Sequence, residues 1–418
     1  MKFRYLLVFL TFLLTIILYV DRVCISVAKE DIVGELGLSD QQMGWVLSAF
    51  ALGYALFQTP SGIFADRRGP RLVLSLIVGL WSLFTALTGM VRTFVQLLVV
   101  RTLFGAGEAG AFPGISRVVY SWIPMQERGI VMGINFSGSR LGAAFALPFV
   151  AWLITTLGWR ESFYVLGLIG LVWGAVWYAV FRDDPAEHPL TRPEEREEIL
   201  RTRQVGTGQK MSLRFSTVAG SRNMWLIMLQ YFSSNFTFFF CLTWLFPYIK
   251  DTYELEAMQA GFYASAPLLF GAAGNWFSGF LVDRIYARGK WKLSRQLPAM
   301  VGFLLAAVGL LASLYMDTVS GAVLFLSIAI FGADMTLSPS WAFCVDIGKD
   351  HAGAVSGTMN MAGNLGSFLT ALAFPYLQDW TGSVGPFFFI GACLNLLALV
   401  VWYFLDPRKA LTKHVQVT

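Results

Sequence analysis

The sequence predicts an all-α membrane protein of twelve transmembrane helices, arranged as two six-helix bundles related by pseudo-two-fold symmetry. Of the 418 residues 56% are hydrophobic and 14% are charged, and the mean hydropathy is +0.61. A soluble domain of this length could not hide so much apolar surface from water. A spanning helix needs about 20 mostly apolar residues. Twelve such segments lie near 5–28, 41–65, 70–91, 94–117, 128–155, 160–181, 223–250, 258–283, 296–316, 319–343, 351–378 and 384–405.

The twelve segments form two groups of six. The first segment resembles a signal peptide but lacks a small-residue cleavage site, so we expect it to be retained. One long polar stretch separates the sixth segment from the seventh. The predicted parts are an N-terminal six-helix bundle at 1–181, a cytoplasmic connecting loop at 182–222, a C-terminal six-helix bundle at 223–405 and a cytoplasmic tail at 406–418.

The basic residues set the predicted orientation. Most Lys and Arg residues lie in loops on one side of the bundles, so we expect both termini and the connecting loop in the cytoplasm. This distribution explains the net charge of +5 without a nucleic-acid partner. The four cysteines lack the spacing of a disulfide framework or a metal site. Since no enzyme motif occurs either, we expect no enzyme activity, no cofactor and no metal.

The two halves of the chain repeat each other. The pattern Gly-x-x-x-Asp-Arg at Gly62–Arg67 recurs at Gly279–Arg284. Glu108 and Pro113 of the fourth segment correspond to Asp334 and Pro339 of the tenth. Matching glycines also occur in the fifth and eleventh segments. The bundles are therefore predicted to be parallel repeats.

Charged residues interrupt the apolar segments at Asp21, Arg22, Arg101, Glu108, Arg140 and Asp334. A charge at the bilayer centre costs about 3 kcal/mol on insertion scales, so such residues mark transport paths or pairs. Arg101 and Glu108 are seven residues apart in one helix, so both face one side with about 10 Å between their Cα atoms. Because a guanidinium binds a carboxylate through two hydrogen bonds, the pattern predicts a path for an anion. The alternative is a set of static ion pairs between helices.

The loop after the second segment carries the most specific motif of the chain, Gly-x-x-x-Asp-Arg-x-Gly at Gly62–Gly69. In this motif, and over its full length, the sequence resembles the major facilitator superfamily. The resemblance implies a substrate site between two bundles near mid-membrane and a gate on the cytoplasmic side. The implied gate residues are Asp66, Arg67, Arg71, Asp283 and Arg284. The alternative is that Asp66 caps a helix while the arginines hold the membrane boundary.

A second set of motifs resembles the anion:cation symporter family, and within it the bacterial sugar-acid carriers. The motifs are Tyr19-x-Asp21-Arg22, Tyr54 with Gln58–Gly62, Arg101 with Gly107–Pro113, and Gly138–Ala143. The resemblance implies that Asp21 and Glu108 carry protons, while Arg22 and Arg101 bind the anion or couple its binding. Further substrate-binding candidates are Tyr19, Tyr54, Ser139, Arg140, Tyr231, Asn235, Ser338, Trp341, Asn360 and Asn364. The second segment has no His and the seventh no Arg, which departs from the glutamate branch.

The coupling of proton binding to substrate binding depends on which charged residues pair. If Glu108 pairs with Arg101 in the empty carrier, protonation of Glu108 frees Arg101 for the substrate. Arg140 and Asp334 either pair with each other or act separately. In the second case Arg140 is a further anchor that selects a dicarboxylate, and Asp334 is a second proton or ion-pair site.

Together the residues and the resemblance predict a proton-coupled symporter of an organic anion, with a sugar acid such as a hexuronate or aldonate as the expected solute. We expect a monomer in the bacterial inner membrane, whose partners are the small anion, protons and the lipid bilayer. Alternatives that stay open are a carrier of another carboxylate or of an inorganic anion, a proton-coupled exporter of the same fold, and a membrane receptor that transports nothing.

Overall fold

The computed structural model describes residues 2–204 and 215–411, and a helix occupies each of the twelve predicted segments. No strand occurs in these two ranges, which confirms the all-helical fold class. The helices of the first half are α1 Phe3–Val27, α2 Lys29–Leu36, α3 Asp40–Arg68, α4 Pro70–Thr88, α5 Phe94–Glu108, α6 Ala111–Trp122, α7 Arg128–Leu157, α8 Trp159–Val180 and α9 Pro193–Thr202. They continue with α10 Phe215–Ala219, α11 Arg222–Thr243, α12 Leu245–Thr252, α13 Ala257–Ala287, α14 Trp291–Ser313, α15 Val319–Met335, α16 Leu337–Gly348, α17 Ala352–Thr381 and α18 Gly385–Phe404.

Length and apolar composition identify the helices that can cross a membrane. Within the described ranges there are nine such stretches, or ten if the bent pair Met125–Ala146 and Pro148–Leu157 forms one span. One of them, Val319–Thr381, is 63 residues long and contains α15, α16 and α17. The chain is therefore a multi-pass membrane protein.

Two of the helices that carry the intramembrane charges begin with the same type of cap. The Thr93 hydroxyl accepts a hydrogen bond from the Gln96 N–H at the start of α5. The Thr318 hydroxyl does the same for the Gly321 N–H at the start of α15. Side-chain oxygens at this position satisfy N–H groups that the helix cannot pair itself.

The same two helices also break next to their acidic residues. Helix α5 ends at Glu108, and α6 begins at Ala111. Helix α15 ends one residue after Asp334, and α16 begins at Leu337. Since the last turn of a helix leaves carbonyl groups unpaired, both acids lie where the backbone is polar within the span.

The chain forms two compact units that exchange short segments between the sequence halves. Helix α7 leaves the second unit after Arg140, and α17 leaves the first unit after Thr358. The predicted bundles at 1–181 and 223–405 therefore stay a prediction. The first unit holds the chain up to Met125, the part that begins at Leu141, and Gly348–Thr358; the second holds Gln126–Arg140, the part that ends at Ile347, and the part from Met359.

Glycines allow close helix packing beside the charges in each unit. In the first unit, a Cβ atom on Gly105 of α5 would lie 2.9 Å from the Tyr54 backbone nitrogen of α3. In the second unit, a Cβ atom on Gly274 of α13 would lie 3.2 Å from the Phe331 Cα atom of α15. The backbones approach each other where small residues leave room, as is common between membrane helices.

Candidate functional site

The first charged site lies in the first unit, where α1 meets the end of α5. The Nε atom of Arg22 donates to Oε1 of Glu108, and its Nη2 atom forms an ion pair with the same oxygen. The Glu108 side chain is fully buried, while the Arg22 side chain is 17% exposed. Residue 22 of α1 and the last residue of α5 are thus joined by a charge-assisted bond.

Aromatic rings enclose the Arg22 guanidinium on its other sides. Its carbon atom lies 4.4 Å from the Tyr54 ring centroid, 5.0 Å from that of Tyr19 and 5.1 Å from that of Phe50. These distances are within the range of cation–π attraction. The structure therefore brings Tyr19, Arg22, Tyr54 and Glu108 into one cluster.

Arg101 belongs to the same unit but is held differently. Its guanidinium lies 4.4 Å from the Phe104 ring centroid and 5.4 Å from that of Phe50, and the residue is 2% exposed. Within residues 2–204 and 215–411 its side chain forms no ion pair, and its Nε atom has no hydrogen-bond acceptor. The pair of Arg101 with Glu108 that the coupling hypothesis considered is not observed, because Arg22 approaches Glu108 from a facing helix while Arg101 lies two turns away along α5.

Asp21 is buried beside this cluster, close enough for its charge to interact with those of Glu108 and Arg101. Neither of its carboxylate oxygens accepts a hydrogen bond in the part of the chain that the structure describes. The Trp81 indole N–H and the Thr85 hydroxyl of α4 face the carboxylate without reaching hydrogen-bonding geometry. A buried carboxylate without partners is costly unless it gains a proton or a cation.

The second charged site lies in the second unit and joins α7 to α15. Arg140 donates from Nε to Oδ2 of Asp334 at 2.7 Å and from Nη2 to Oδ1 at 2.6 Å. The Phe238 ring centroid is 3.4 Å from the guanidinium carbon, and the Asn275 amide donates to Oδ2 of Asp334 at 3.3 Å. Of the alternatives left open by the sequence, the two residues do pair with each other.

Several of the remaining polar candidates of the second unit bond to one another. The Trp341 indole donates to the Tyr231 hydroxyl at 2.9 Å, and the Asn235 amide donates to the Tyr231 carbonyl at 3.0 Å. The Asn364 amide donates to the Asn360 carbonyl at 2.8 Å. Two further candidates are fully buried: Ser338 donates to the Asn275 carbonyl at 3.4 Å, and the Ser139 hydroxyl has no partner within the two described ranges.

Asp66 of the glycine-rich motif caps a helix of the other sequence half. Its carboxylate accepts the backbone N–H groups of Gly353 at 2.9 Å and Ala354 at 2.8 Å, at the start of α17. The positive end of a helix favours such an anion. A Cβ atom on Gly62 would collide with the Gly353 carbonyl oxygen and lie 3.0 Å from the Ala354 backbone nitrogen, which explains the glycine four residues before Asp66.

Asp283 repeats this arrangement in the second unit. Its carboxylate accepts the N–H groups of Gly129 at 2.8 Å and Ile130 at 2.7 Å, at the start of α7. The two copies of the motif therefore make the same contact with the repeat-related helices α17 and α7. Their role as a gate stays a prediction.

The arginines of the predicted gate are placed differently from the two aspartates. Arg67 and Arg284 have exposed side chains. Arg71 donates from Nε to the Tyr178 carbonyl at 3.0 Å, and its backbone N–H donates to Asp183 at 2.9 Å. Arg71 thus ties α4 to the end of α8 in the first unit.

Several residues around the charges were missed by sequence reasoning. Phe104 and Phe50 cover the arginines of the first unit, and Asn275 bonds to Asp334 in the second. Phe104 follows Arg101 by three positions and Phe50 precedes Tyr54 by four, so helical spacing could have indicated both. Asn275 carries no such signal, because its partner lies on another helix.

Arginine–carboxylate pairs inside membrane-spanning helices are typical of membrane transporters. A family profile described as Major Facilitator Superfamily matches residues 11–371, and the chain belongs to this superfamily.

Curated relatives cover almost the whole chain. The chain is 34% identical over 409 residues to a probable sulfoacetate transporter, SauU, of Cupriavidus necator, which covers 97% of this chain and 94% of the relative. It is 32% identical over 412 residues to a probable L-galactonate transporter of Escherichia coli, with 96% and 90% covered. It is 29% identical over 401 residues to a hexuronate transporter of Bacillus subtilis, with 95% and 93% covered. The predicted resemblance to the sugar-acid carriers is confirmed, and the chain is a transporter and not an enzyme.

Solved structures share the fold. The proton:xylose symporter XylE superimposes with a TM-score of 0.74 at 17% identity, over 96% of this chain and 95% of that one. The human organic anion transporter MFSD10 gives a TM-score of 0.71 at 16% identity, over 94% and 98%. These likenesses confirm the major facilitator fold.

Proposed function

We propose that the chain is a proton-coupled symporter of an organic anion and works by alternating access. Its substrate is a sugar acid, a hexuronate or an aldonate. Relatives named as L-galactonate, hexuronate and sulfoacetate transporters support an organic acid as the solute. We further propose that it acts in a bacterial inner membrane with both termini in the cytoplasm.

The observation that carries this proposal is the arginine cluster of the first unit. Arg22 is bonded to the buried acid Glu108, while Arg101 lies nearby with aromatic contacts and no carboxylate partner among the described residues. A guanidinium in a low-dielectric site binds a carboxylate strongly through its planar fork. In this proposal Arg101 binds the anion directly, whereas Arg22 binds it only after Glu108 has released it.

Protonation of Glu108 is the proposed coupling step. A proton on Glu108 removes the charge that holds Arg22, and Arg22 then binds the substrate carboxylate together with Arg101. When the substrate leaves, the pair of Arg22 and Glu108 forms again and the proton departs. Substrate and proton therefore bind and leave together.

Asp21 is proposed as the second proton carrier. It is buried and accepts no hydrogen bond within the described ranges, so it depends on a proton or a cation. Two carboxylates permit one or two protons per cycle. One proton neutralises a monoanion, whereas a second adds about 2.3 kcal/mol of driving force per 100 mV.

The polar side chains of the second unit are proposed to meet the hydroxyl groups of the sugar acid. These are Ser139, Tyr231, Asn235, Ser338, Trp341, Asn360 and Asn364. Opening of the cytoplasmic gate would release the N–H groups of α17 from Asp66 and those of α7 from Asp283. Arg67 at the end of α3, Arg71 at the start of α4 and Arg284 near the end of α13 are proposed to assist this gate.

Uptake into liposomes tests the proposal. With an inward proton gradient, the purified protein should accumulate D-galactonate or D-glucuronate and leave L-glutamate and phosphate outside. Arg101→Ala should abolish accumulation, because an arginine open to the substrate is lost, while Arg92→Ala, an exposed loop arginine of the same unit, should not. Folded protein that accumulates no sugar acid, or an Arg101→Ala variant as active as Arg92→Ala, would contradict it. Accumulation only under an outward gradient would instead favour an exporter.

A further inference from the structure

One face of α4 carries buried polar side chains beside Asp21. We propose that Trp81 and Thr85 are positioning residues for the second proton: they donate hydrogen bonds to the Asp21 carboxylate when its proton leaves, and they give up these bonds when the proton returns. This inference rests on the proposed role of Asp21 as a proton carrier and adds the partners on which its charged form depends. The bonds join α1 to α4 within the first unit, so each binding of this proton loosens that contact.

Donors and acceptors that match each other stand unpaired on the two helices. Asp21 of α1 is 1% exposed, and neither of its carboxylate oxygens accepts a hydrogen bond within residues 2–204 and 215–411. On α4 the Trp81 indole N–H and the Thr85 hydroxyl face this carboxylate, are also buried, and have no partner in the same ranges. Buried polar groups are normally hydrogen-bonded, and bonds to a charged acceptor are the strongest. A small approach of α1 to α4 would satisfy all three residues.

The Thr85 hydroxyl also departs from the usual pattern of its own helix. A Ser or Thr inside a helix often donates to the carbonyl four residues earlier, and Thr88 does so to Phe84 at 2.9 Å. Thr85 makes no such bond to the Trp81 carbonyl in the described part of the chain. Since Trp81 and Thr85 are four residues apart, both side chains lie on one face of α4. That face therefore offers two donors to the same carboxylate.

The other groups around Asp21 do not replace these donors. From α5, the charge of Glu108 repels that of Asp21 and the charge of Arg101 attracts it, so the two effects oppose each other. The thiol of Cys24, three positions along α1, also interacts with the Asp21 charge. An apolar cavity of about 230 Å³ lies on the remaining side of Asp21, and its lining from α7 and α8 is Phe145, Phe149, Leu166 and Ile169. Between opposed charges and hydrocarbon, the charged form of Asp21 depends on the hydrogen bonds from α4.

Infrared titration of Asp21 in the purified protein tests the proposal. A protonated carboxyl group has its own C=O absorption, and the band of Asp21 is the one that disappears in Asp21→Asn. Thr85→Val keeps the shape of the side chain but removes the hydroxyl, so the band should persist to a pH about one unit higher than in wild type. Thr85→Ser retains the hydroxyl and should titrate like wild type. Thr88→Val is the matched control, because its hydroxyl is bonded to Phe84, and it should also titrate like wild type.

Transport measurements separate this role from a loss of stability. As the external pH rises, wild-type uptake of D-galactonate into liposomes should fall when Asp21 loses its proton, and in Thr85→Val this fall should move upward by the same interval as the infrared band. In an Asp21→Asn background, Thr85→Val should leave the pH profile of labelled galactonate exchange unchanged. A variant that has only lost stability would lower the rate at every pH without moving the profile.

Two results would overturn the proposal: an Asp21 band that titrates alike in wild type and Thr85→Val, and a shift in Thr88→Val as large as that in Thr85→Val. Galactonate transport without any titrating Asp21 band would refute both this proposal and Asp21 as a proton carrier. A protein whose Asp21 band shifts as expected but that takes up no sugar acid would support the role of α4 and refute the proposed function.

Discussion

Arg22 is held by two kinds of contact that respond differently to a substrate. The ion pair with Glu108 depends on the charge of the acid, whereas the faces of Tyr19, Tyr54 and Phe50 stay in place when that charge is lost. We infer that the rings keep the guanidinium oriented after Glu108 releases it. Preorganisation of this kind lowers the cost of binding.

Replacement of Tyr54 tests the contribution of the rings. Tyr54→Leu removes the face that lies closest to Arg22, at 4.4 Å, and should raise the KM of sugar-acid uptake by about 3- to 30-fold. Tyr54→Phe retains that face and should stay within about threefold of wild type. Uptake kinetics in liposomes measure both. Equal effects of the two substitutions would show that the ring face does not matter.

At the scale of single residues, the sequence identified the charged side chains of the site better than it identified which of them pair. The motifs identified Arg22, Arg101 and Glu108, but the coupling hypothesis considered Arg101 as the partner of Glu108, and the observed partner is Arg22. Spacing along one helix determines which side chains share a face. The choice of partner depends on how α1 packs against α5, which a single sequence does not specify.

Helix ends explain why the glycine-rich motif requires both its Asp and its Gly. The Asp66 carboxylate can reach the first N–H groups of α17 only if α3 and α17 lie in backbone contact. Any side chain at residue 62 would collide with the Gly353 carbonyl. The motif therefore allows the end of α3 to pack closely against the start of α17.

Two glycines of the first unit form a matched test. Gly62→Ala overpacks this contact at a cost of about 1–3 kcal/mol, so we expect uptake to fall about tenfold. Gly79→Ala should behave like wild type, because no atom lies within 4 Å of the added Cβ atom. Uptake rates and melting temperatures of the two variants should be compared. Indistinguishable variants would show that the close approach of α3 and α17 has no role in transport.

Helix α9 is fastened to the start of α1. Glu195 accepts the N–H groups of Phe3 at 2.7 Å and Arg4 at 2.9 Å, and so caps α1. Glu198 forms ion pairs with Arg4 at 3.1 Å and Lys2 at 2.7 Å. Hydrogen bonds from Arg4 and Lys2 lower the pKa of Glu198 to about 2. The connecting segment is thereby attached to the first unit.

The lowered pKa gives the sign of the pH dependence of this attachment. An unfolded Glu titrates near pKa 4.3, so the stabilisation by Glu198 is complete above that pH and is lost as the pH falls towards about 2. Hydrogen exchange of α9 should therefore show no change in its opening equilibrium between about pH 6 and 8.

A substitution in α9 checks the same attachment at neutral pH. Glu198→Gln should raise the opening of α9 by about fivefold or more, because it removes a solvent-exposed pair with Lys2 and a second pair with the buried Arg4. Glu194→Gln, an exposed residue of the same helix, is the control. Hydrogen exchange followed by mass spectrometry measures both variants. If Glu194→Gln opened α9 as much, the ion pairs would not be what holds it.

For the whole molecule, the hydropathy of the sequence predicted the helices, and the internal repeat predicted which helices of the two halves correspond. Every predicted segment contains a helix. The prediction succeeds because every spanning helix needs about the same number of apolar residues to cross the bilayer. The exchange of segments between the units was not predicted. The start of α7 belongs to the second unit and the start of α17 to the first, although each helix continues into the other unit. Repeats indicate which helices correspond, but not which neighbour the end of each helix contacts.

The central claim is that anion binding is linked to protonation of Glu108. The most direct measurement is the internal pH of lightly buffered liposomes when D-galactonate or D-glucuronate is added outside. Wild-type protein should acidify the lumen as the sugar acid enters. Glu108→Gln should give no acidification but should still exchange labelled for unlabelled substrate, because the amide releases Arg22 permanently. Acidification by Glu108→Gln equal to that of wild type, or entry of the sugar acid into wild-type liposomes without acidification, would contradict the account.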